Sequence, residues 1–495
     1  MEMIHFITAK FLQEKYDAEY FAIIDINDKI KKFFKTQKLV DFKKVWYYRD
    51  SSIKNTRTYD LSFLKNFEKK YNLHFADLVY SERYFFKYNQ YHKFSQKEIF
   101  SILQHDCQFF ENILDELQPD FLLIKNTDYH QNHLLYQICK SKGIHILYLA
   151  GSRFGSRELI TSEPETIDSF DELKENKISK IKSYDELSEH VKNYSKEQHD
   201  FVTNFQMSQI DRLKNGLKFL LFVTNSRYRK YFAHTGRTKF NVIKNELTLL
   251  LKTGYRWRFL NKHTIKNLPE GSNFVYFPLH LEPERVLLIG APYYTNQLET
   301  IIHIAKSLPI DLKLFVKEHP SQRLAGWRSI SYYKQILELF NVELLHPSIP
   351  NDEVIKKSSL VITISGTSGL EASFYQKPSI ILSDVIYSEL KSVKRVRNIE
   401  ELPNAISDAL EIKFSIEDLN NYVSKIENST FNFDHESITL KIHNTFYNNG
   451  FLVDTEIPIS KMENFLLEIK PYFSELVDSH IQKIQIYKQI EIDKK

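Results

Sequence analysis

The sequence predicts an α/β fold with two Rossmann-like, doubly wound domains that face each other across a cleft. From residue 273 to residue 382, short apolar segments typical of buried strands alternate with segments of helical spacing, and no long gap interrupts them. A strand, helix and strand pattern also occupies residues 121–149. Strands that alternate with helices in this way form parallel sheets with helices on both faces.

The first domain is assigned to residues 1–226. Its first strand is predicted at 21–24, and a βαβ unit follows as strand 121–124, helix 132–141 and strand 144–149. Polar side chains follow the strands of that unit, at the carboxyl edge where open α/β sheets bind ligands. They are Asp128 and His130 after the first strand, and Arg153 and Arg157 after the second.

A basic and aromatic connector is assigned to residues 227–272. Between Arg227 and Lys266 its basic residues face a single acid, Glu246, and alternate with Tyr, Phe and Trp. These basic residues are Arg227, Arg229, Lys230, Arg237, Lys239, Lys244, Lys252, Arg256, Arg258, Lys262 and Lys266. Two interpretations stay open: a solvated connector, or a surface for membrane headgroups or a charged glycan. No nucleic-acid-binding fold accompanies the segment, so nucleic acid is not expected as a partner.

The second domain is assigned to residues 273–430. Its predicted strands are 274–280, 312–316, 342–345, 360–364 and 379–382, and its predicted helices are 295–307, 331–340, 352–358 and 368–376. The tail, residues 431–495, has the pattern of polar and amphipathic helices that pack back on the first domain.

Composition narrows the class of protein. The 67 basic and 63 acidic residues give a net charge of +4, which indicates neither a nucleic-acid binder nor an acidic tail protein. Two cysteines, Cys107 and Cys139, are too few for a disulfide framework and suit a reducing cytosol. The N-terminus lacks the pattern of a signal peptide, and no apolar run reaches the ~18 residues of a membrane span. We expect a cytoplasmic protein whose membrane contact, if any, is peripheral.

The most specific pattern joins two strand ends of the second domain. Val-Lys-Glu-His-Pro at 316–320 ends one strand, and Ser-Gly-Thr-Ser-Gly-Leu-Glu-Ala at 365–372 leads from another strand into a helix, with Lys-Pro at 377–378. A helix N-terminus offers free N–H groups and a partial positive charge, and small residues let a phosphate approach. The sequence therefore predicts a nucleotide or diphosphate site here. His346-Pro347 repeats the dipeptide without this context.

These motifs resemble those of a known family. Bacterial capsule and surface-polysaccharide glycosyltransferases of the GT-B type, including Kdo transferases and polysialyltransferases that use CMP-sugars, carry an His-Pro motif followed by a Ser/Thr-rich motif before a Glu and a Lys-Pro. Here His319-Pro320 matches the first motif, Ser365, Thr367 and Ser368 match the second, and Glu371 with Lys377-Pro378 continues it. The resemblance covers about residues 273–412, and it implies the GT-B fold with the nucleotide donor bound by the second domain.

The predicted donor-binding residues lie at the carboxyl ends of the second domain's strands. They are Lys317, Glu318, His319, Pro320, Ser365, Gly366, Thr367, Ser368, Gly369, Glu371, His280 and Glu282. Ser365 or Thr367 can also be a plain helix cap, and the dipole of the helix can account for Glu371 without a ligand. His319 is also a catalytic candidate, because its imidazole can donate to a donor phosphate.

An inverting transfer needs a base that takes the proton of the acceptor hydroxyl. In a GT-B enzyme that base comes from the first, acceptor-side domain, where Asp128 is the first candidate and His130 the second. A helix cap is the alternative for Asp128. Arg153 and Arg157 are expected to grip an anionic acceptor. No Asp-x-Asp pair follows a strand, so neither a metal ion nor another cofactor is called for beyond the donor itself.

The sequence thus predicts an inverting, metal-independent glycosyltransferase of capsule or lipopolysaccharide-like surface polysaccharide. The donor is a nucleotide-sugar, with CMP-sugars among the candidates, and the acceptor is a glycan or a lipid-linked glycan. Three alternatives stay open: a polyol-phosphate transferase similar to the CDP-glycerol enzymes, a nucleotide-sugar 2-epimerase, and a non-catalytic glycan-binding subunit.

Overall fold

The computed structural model describes residues 2–26, 28–52, 58–85, 88, 92–125, 127–168, 183–193, 239–271, 273–447 and 456–493. The chain divides into two compact units. Unit 1 contains the described parts of Met1–Ser169, Lys192–Ile243 and Glu427–Lys495, and unit 2 those of Phe170–Val191 and Lys244–Ile426.

The helices and strands are numbered here in chain order, and shorter 3₁₀ turns are left unnumbered. The first part of the chain forms α1 (Met3–Lys15), β1 (Tyr20–Ile24), α2 (Asp28–Thr36), β2 (Phe42–Tyr47), α3 (Tyr48–Ser52), α4 (Leu61–Tyr71), α5 (Phe75–Ser81), α6 (Gln96–Leu117), β3 (Phe121–Ile124), α7 (His130–Ser141), β4 (His145–Gly151) and β5 (Arg157–Thr161). The middle part forms α8 (Tyr184–Asn193), α9 (Lys239–His263), β6 (Phe274–Pro278), α10 (Arg285–Leu288), α11 (Gln297–Ser307), β7 (Lys313–Lys317), α12 (Ile330–Leu337), β8 (Val342–Leu345), α13 (Asn351–Lys357), β9 (Leu360–Thr363), α14 (Ser368–Phe374), β10 (Ser379–Ile381), β11 (Val393–Arg395), α15 (Leu402–Leu410) and α16 (Ile416–Ser429). The last part forms β12 (Phe431–Asn432), α17 (His435–Phe446), α18 (Ile459–Ile469) and α19 (Ser474–Asp493).

Unit 1 contains the predicted βαβ unit. Strands β3 and β4 are parallel and α7 connects them. The sheet continues with β5 and β12, which pair antiparallel, and β1 and β2 form a separate parallel pair. The C-terminal helices complete the core of this unit, since Phe473 packs against Phe11 of α1 and Lys15 pairs with Asp478 at 2.7 Å.

Unit 2 is a doubly wound parallel sheet with the strand order β11-β10-β9-β6-β7-β8. With β6 counted as the first strand, this is the Rossmann order, in which the chain moves outward on one side of β6 and then returns to the other side. The predicted α/β class is confirmed, and the five strands predicted here all exist within two residues of their predicted ends. Strand β11 was not predicted from the sequence.

Burial on both faces explains why the strands of unit 2 could be predicted from the sequence. Val275 and Phe277 of β6 point to one apolar cluster, while Phe274 and Tyr276 point to another on the opposite face. A strand buried on both faces has a nearly continuous apolar sequence, which is the pattern of a parallel sheet between helices. The carboxyl ends of β6, β7 and β9 are consequently the places where polar side chains accumulate.

Candidate functional site

The loops after β6 and β9 meet where the strand order of unit 2 reverses. Nε2 of His280, after β6, accepts a hydrogen bond from the backbone N–H of Ser365, after β9, at 3.2 Å. A Cβ on Gly366 would lie 2.8 Å from Thr363 Oγ1 and 3.4 Å from His280 Nε2, so only glycine fits this approach. In open α/β sheets this reversal point is where ligands bind.

His319 is held in one tautomer at the end of β7. Its Nδ1 accepts the N–H of Ser321 at 3.2 Å, where it caps the 3₁₀ turn Pro320–Ala325. Burial lowers the pKa of His319 below its usual value, so the ring is neutral at pH 7. Because Nδ1 is an acceptor, the proton lies on Nε2, which is therefore the hydrogen-bond donor that this residue can offer to a ligand.

Lys317, the last residue of β7, is a buried ammonium without a partner among the described residues. Its residue exposure is 4%, and no carboxylate lies within ion-pair distance of its Nζ. Burial lowers the pKa of Lys317 to about 8, although the charges of Glu371 and Asp352 act against this shift. An unpaired buried cation is costly, and an anion bound beside it would remove that cost.

The start of α14 adds hydrogen-bond donors. Within the described part of the chain, the N–H groups of Thr367 and Ser368 have no backbone or side-chain acceptor. The Oγ of Ser365 is buried and likewise has no partner there. Thr367 donates its hydroxyl to Glu371 at 2.8 Å, so the Glu371 carboxylate is engaged on one side.

Asn351 fixes the other side of Glu371. Its amide nitrogen donates to Glu371 Oε2 at 2.9 Å and to Ser368 Oγ at 3.1 Å, and its oxygen accepts from Tyr276 at 2.6 Å. Gly369 packs closely on Tyr387, since a Cβ there would lie 2.8 Å from the Tyr387 hydroxyl. These contacts hold the first turn of α14 against the sheet.

Arg328, which was not a candidate in the sequence, links the loop after β6 to the loop after β7. It donates through Nη1 to the carboxylate of Glu318 and through Nη2 to the carbonyl of His280, the latter at 2.6 Å. Glu318 is fully buried and also accepts from the Tyr333 hydroxyl at 2.7 Å and from the His319 N–H at 2.8 Å. Burial alone would lower the pKa of Arg328, but Glu318 raises it above its usual value.

Glu282 belongs to the same buried network. Its carboxylate accepts from Gln297 at 2.7 Å and from Arg328 at 3.3 Å. Its backbone N–H donates to Gln322 at 2.9 Å. The donor-binding roles predicted for Glu282 and Glu318 stay predictions, but both carboxylates are committed to Arg328, and their evident contribution is to position His280 and His319.

His346 repeats the geometry of His319 one strand away. Its Nδ1 accepts the N–H of Ser348 at 3.2 Å, as that of His319 accepts the N–H of Ser321. The Nε2 of His346 is buried and has no partner among the described residues, and the ring packs against Trp257 at 4.9 Å. The sequence already contains this similarity, because both histidines begin the tripeptide His-Pro-Ser at a strand end.

Asp128 lies between β3 and α7 in unit 1. It does not cap α7, whose N-cap residue is Tyr129 without a side-chain bond. Its Oδ2 accepts from Arg83 Nη2 at 3.3 Å, and about a quarter of its side chain is exposed, 25%. A partly exposed carboxylate at a strand end is available to an acceptor hydroxyl, and its predicted role as base stays a prediction.

His130 is placed differently from what a base requires. Its Nδ1 lies 2.7 Å from Glu82 Oε2, and its Nε2 lies 3.1 Å from Asp106 Oδ2. Burial alone would lower the pKa of His130, but Asp106 and Glu82 raise it to about 10. The ring is then an imidazolium with no lone pair, so it cannot accept a proton at pH 7. Asp106 lies in α6 and Glu82 directly follows α5, and neither was a candidate in the sequence, because single acids are usually solvated.

The two arginines predicted to bind an acceptor already have partners in unit 1. Arg153 pairs with Glu165 at 3.1 Å. Arg157 donates to the hydroxyl and carbonyl of Thr430, both at 2.7 Å, and to the carbonyl of Glu427 at 2.8 Å. Arg157 thus ties β5 to the C-terminal segment, and the acceptor role of both residues stays a prediction.

Part of the predicted basic connector, residues 227–238, lies outside the described residues. The remainder is largely α9. Arg256 in this helix is not a free surface charge, because it donates to the carbonyls of Gly326 at 2.9 Å and Trp327 at 2.7 Å. Its role is to fasten α9 to unit 2.

Within the described ranges, no three or more His, Cys, Asp or Glu residues form a group that could hold a metal ion. None of the helices in those ranges is long and apolar enough to cross a bilayer.

A comparison with protein families matches residues 175–391 to a family described as "Capsule polysaccharide biosynthesis protein". The matched range includes β6 to β10 and therefore both strand-end motifs. This chain resembles capsule polysaccharide biosynthesis proteins. The match confirms the resemblance expected from the sequence, over somewhat less than half of the chain. No curated protein matches the sequence.

Solved structures give weaker similarities. The KpsC β-Kdo 2,7 transferase of Thermosulfurimonas dismutans is 11% identical with a TM-score of 0.30, covering 64% of this chain and 79% of that one. A UDP-GlcNAc 2-epimerase of Methanocaldococcus jannaschii is 14% identical with a TM-score of 0.25, covering 80% and 94%. A putative 2-epimerase of Listeria monocytogenes is 11% identical with a TM-score of 0.23, covering 89% and 100%. Similarities of this size carry no argument about activity.

Proposed function

We propose that this protein is a GT-B glycosyltransferase of surface-polysaccharide assembly in the cytoplasm. It transfers a sugar from a nucleotide-sugar, with CMP-sugars as the first candidates, to a glycan or lipid-linked acceptor. The family match supports the process, and the strand-end site of unit 2 supports the donor class.

The proposal rests on the unpaired ammonium of Lys317, which ends β7 at the same edge of the sheet as the free N–H groups that begin α14. A buried cation and backbone donors at the carboxyl edge of a parallel sheet make an environment suited to phosphate. No described carboxylate lies within ion-pair distance of Lys317, whereas Arg328 in the same unit is paired with Glu282 and Glu318. A bound nucleotide phosphate would supply the missing negative charge.

The chemistry follows from where charge develops. As the sugar leaves, negative charge grows on the phosphate of the donor, and groups already aimed at that charge lower the barrier. His319 Nε2–H, Lys317 and the α14 N–H groups supply positive charge and hydrogen bonds there without a divalent ion. The transfer is therefore proposed to be metal-independent and inverting, with Asp128 as the base.

The donor class is tested by the thermal unfolding of the full chain with CMP, CDP, UDP and GDP. A nucleotide at 100 times its Kd stabilises the folded protein by about 2.7 kcal/mol. The matched pair of variants is Lys317→Met and Lys313→Met, since Lys313 stands at the exposed other end of the same strand. The proposal expects stabilisation in the wild type and in Lys313→Met, and its loss in Lys317→Met.

Product analysis with the stabilising nucleotide's sugar decides the reaction. Transfer to a glycan acceptor or slow hydrolysis of the donor agrees with the proposal. An epimerised nucleotide-sugar, transfer of a polyol phosphate, or binding with no turnover would each replace it with one of the other activities considered for this sequence.

A further inference from the structure

Among the described residues, the part of α9 that belongs to unit 2 packs on the rest of that unit through one side. On that side Leu260 is fully buried and Arg256 bonds the carbonyls of Gly326 and Trp327. Leu249 lies against Gly326, where an added Cβ would come within 2.3 Å of its Cδ1. The indole of Trp257 stacks on that of Trp327 with 5.3 Å between ring centroids. These contacts fix which side of the helix faces outward.

The outward side carries an apolar stripe, defined here as Leu247, Leu250, Leu251 and Tyr255. Leu247, Leu251 and Tyr255 are spaced by four residues, so they form one line along the helix. Their exposures are 59%, 77% and 67%, and Leu250 beside them is 45% exposed. Single exposed apolar residues are ordinary, but four on one helix face indicate a contact surface.

The stripe is flanked by unpaired positive charge. The exposed residues Lys244, Lys252, Arg258 and Lys262 form no ion pair with any described residue. Over the whole of α9, six Lys and Arg residues stand against one acid, Glu246. A protein surface that covered the stripe would need matching acids, whereas a sheet of anionic headgroups supplies negative charge and an apolar layer together.

We propose that the outward face of α9 docks on an anionic lipid surface, with the helix lying in the plane of the interface. The stripe enters the boundary between headgroups and acyl chains while Lys252, Arg258 and Lys262 contact the headgroups. Such interfacial helices combine apolar residues on one side with Lys and Arg that extend to the headgroups. At 25 residues, α9 is about 37 Å long, enough to present the whole stripe at once.

This proposal goes beyond the charge of the connector and beyond the transfer reaction. A purely electrostatic patch would lose the membrane as salt rises, because exposed charges are screened. An inserted stripe keeps part of its affinity at high salt, since burial of apolar surface does not depend on ionic strength. The apolar and the basic residues must therefore contribute separately.

The experiment is flotation of the purified full chain with vesicles of phosphatidylglycerol and phosphatidylcholine in equal parts, and with phosphatidylcholine alone. Lys252→Gln, Arg258→Gln and Lys262→Gln together should weaken binding about 100-fold, at about fivefold for each charge. Leu247→Gln with Leu251→Gln should weaken it about tenfold or more and remove the binding that persists at high salt.

Matched controls stand elsewhere in unit 2. Ile310 and Phe340 are exposed apolar residues at 92% and 87%, so Ile310→Gln with Phe340→Gln should leave binding unchanged. Lys306→Gln with Lys334→Gln is the corresponding control for charge. Leu251→Gln alone, at the most exposed position of the stripe, gives a smaller loss in a variant that has no packing to lose.

Two results would overturn the proposal. One is equal binding by the stripe variants and the wild type in vesicles that contain phosphatidylglycerol. The other is a wild type that forms dimers in light scattering, fails to float with either vesicle, and becomes monomeric when Leu247 and Leu251 are replaced, which would make the stripe a contact between copies of the chain.

Discussion

His280 and Ser365 are 85 residues apart in the chain, yet the imidazole Nε2 of the first accepts the backbone N–H of the second at 3.2 Å. The bond spans the two loops that follow β6 and β9, where the strand order reverses. His280 is in turn held through its carbonyl by Arg328 at 2.6 Å, and Arg328 also holds Glu318. One chain of buried contacts thus fixes three strand ends relative to each other, so a site at this edge is rigid before any ligand arrives.

His319→Ala should strongly reduce transfer and leave the fold intact. The side chain caps a single N–H, that of Ser321, so its loss costs stability by about 1 kcal/mol. Removal of one donor to a developing phosphate charge lowers the turnover by about 10²-fold to 10³-fold. Steady-state kinetics with circular dichroism measure both effects, and His303→Ala on the exposed face of α11 is the control. Near-normal turnover in the folded variant would remove His319 from the donor site.

Ser365→Ala combined with Thr367→Ala should raise the donor Kd. Hydrogen bonds to a charged group contribute about 1.5–3 kcal/mol, so the loss of either corresponds to at least about tenfold. Ser365 Oγ has no partner among the described residues, and its deletion therefore leaves no group unsatisfied in the free protein. Calorimetric titration with the nucleotide measures the Kd, with Ser407→Ala as the control. An unchanged Kd would make both hydroxyls structural.

Donor affinity should fall as pH rises, because Lys317 loses its proton. In the free protein its pKa is about 8, and only the protonated form attracts phosphate. Above that pH the Kd should rise up to about tenfold for each pH unit. Titrations from pH 6.5 to pH 9.5 should show this slope in the wild type and a weak, flat affinity in Lys317→Met. A wild-type affinity that is constant over this range would contradict the contact.

The lowered pKa of Lys317 also predicts how the stability of the free protein changes with pH. Stability should rise with pH, whereas donor affinity should fall. The pKa of Lys317 is lower in the folded than in the unfolded chain, where it is about 10.4, so the unfolded state binds more protons between these values. The stability of the free protein should therefore gain a contribution as pH rises from about 8 to about 10.4. Urea unfolding of Lys317→Met should lack this gain, and Lys313→Met should keep it.

Arg328→Met should destabilise the protein by about 3–5 kcal/mol, because it leaves Glu318 and Glu282 buried without a counter-charge. Arg328→Lys restores the charge but not both hydrogen bonds, so it should recover part of the loss. Urea unfolding measures the difference, and the exposed Arg323→Met is the control. If Arg328→Met is as stable as Arg323→Met, the network does not hold the strand ends together.

The sequence predicted unit 2 well for a physical reason. Strands β6, β7 and β9 are buried on both faces, so their apolar runs and the glycine-rich exit at residues 365–369 were visible without tertiary information. Strand β11 has only three residues and a burial pattern that is mostly intermediate, so no comparable run marked it. In unit 1, the antiparallel β12 has only two residues and depends on its pairing with β5.

Only part of the candidate donor site could be predicted from the sequence. Motif residues such as His319 and Ser365 stand at strand ends, which sequence patterns locate. Arg328, Glu82 and Asp106 gave no signal, because a lone charged residue is usually on the surface and only tertiary packing buries it beside a partner. The same packing places His130 between two carboxylates that are distant in the sequence, so its protonation could not be predicted from its neighbours along the chain.

Asp128→Asn tests the base. The amide preserves the size of the side chain and its contact with Arg83, 3.3 Å away, while it removes the ability to take a proton. Donor binding should be unchanged, and turnover should fall by about 10²-fold to 10⁴-fold, the usual cost of losing a general base. Asp115→Asn, at an exposed pair with Lys142, is the control. EDTA should leave wild-type turnover unaffected, because Lys317 supplies positive charge and His319 a hydrogen bond without a metal ion. A fully active Asp128→Asn would move the base to another residue, and since His130 is already protonated between Glu82 and Asp106, that residue would have to be sought elsewhere in the chain.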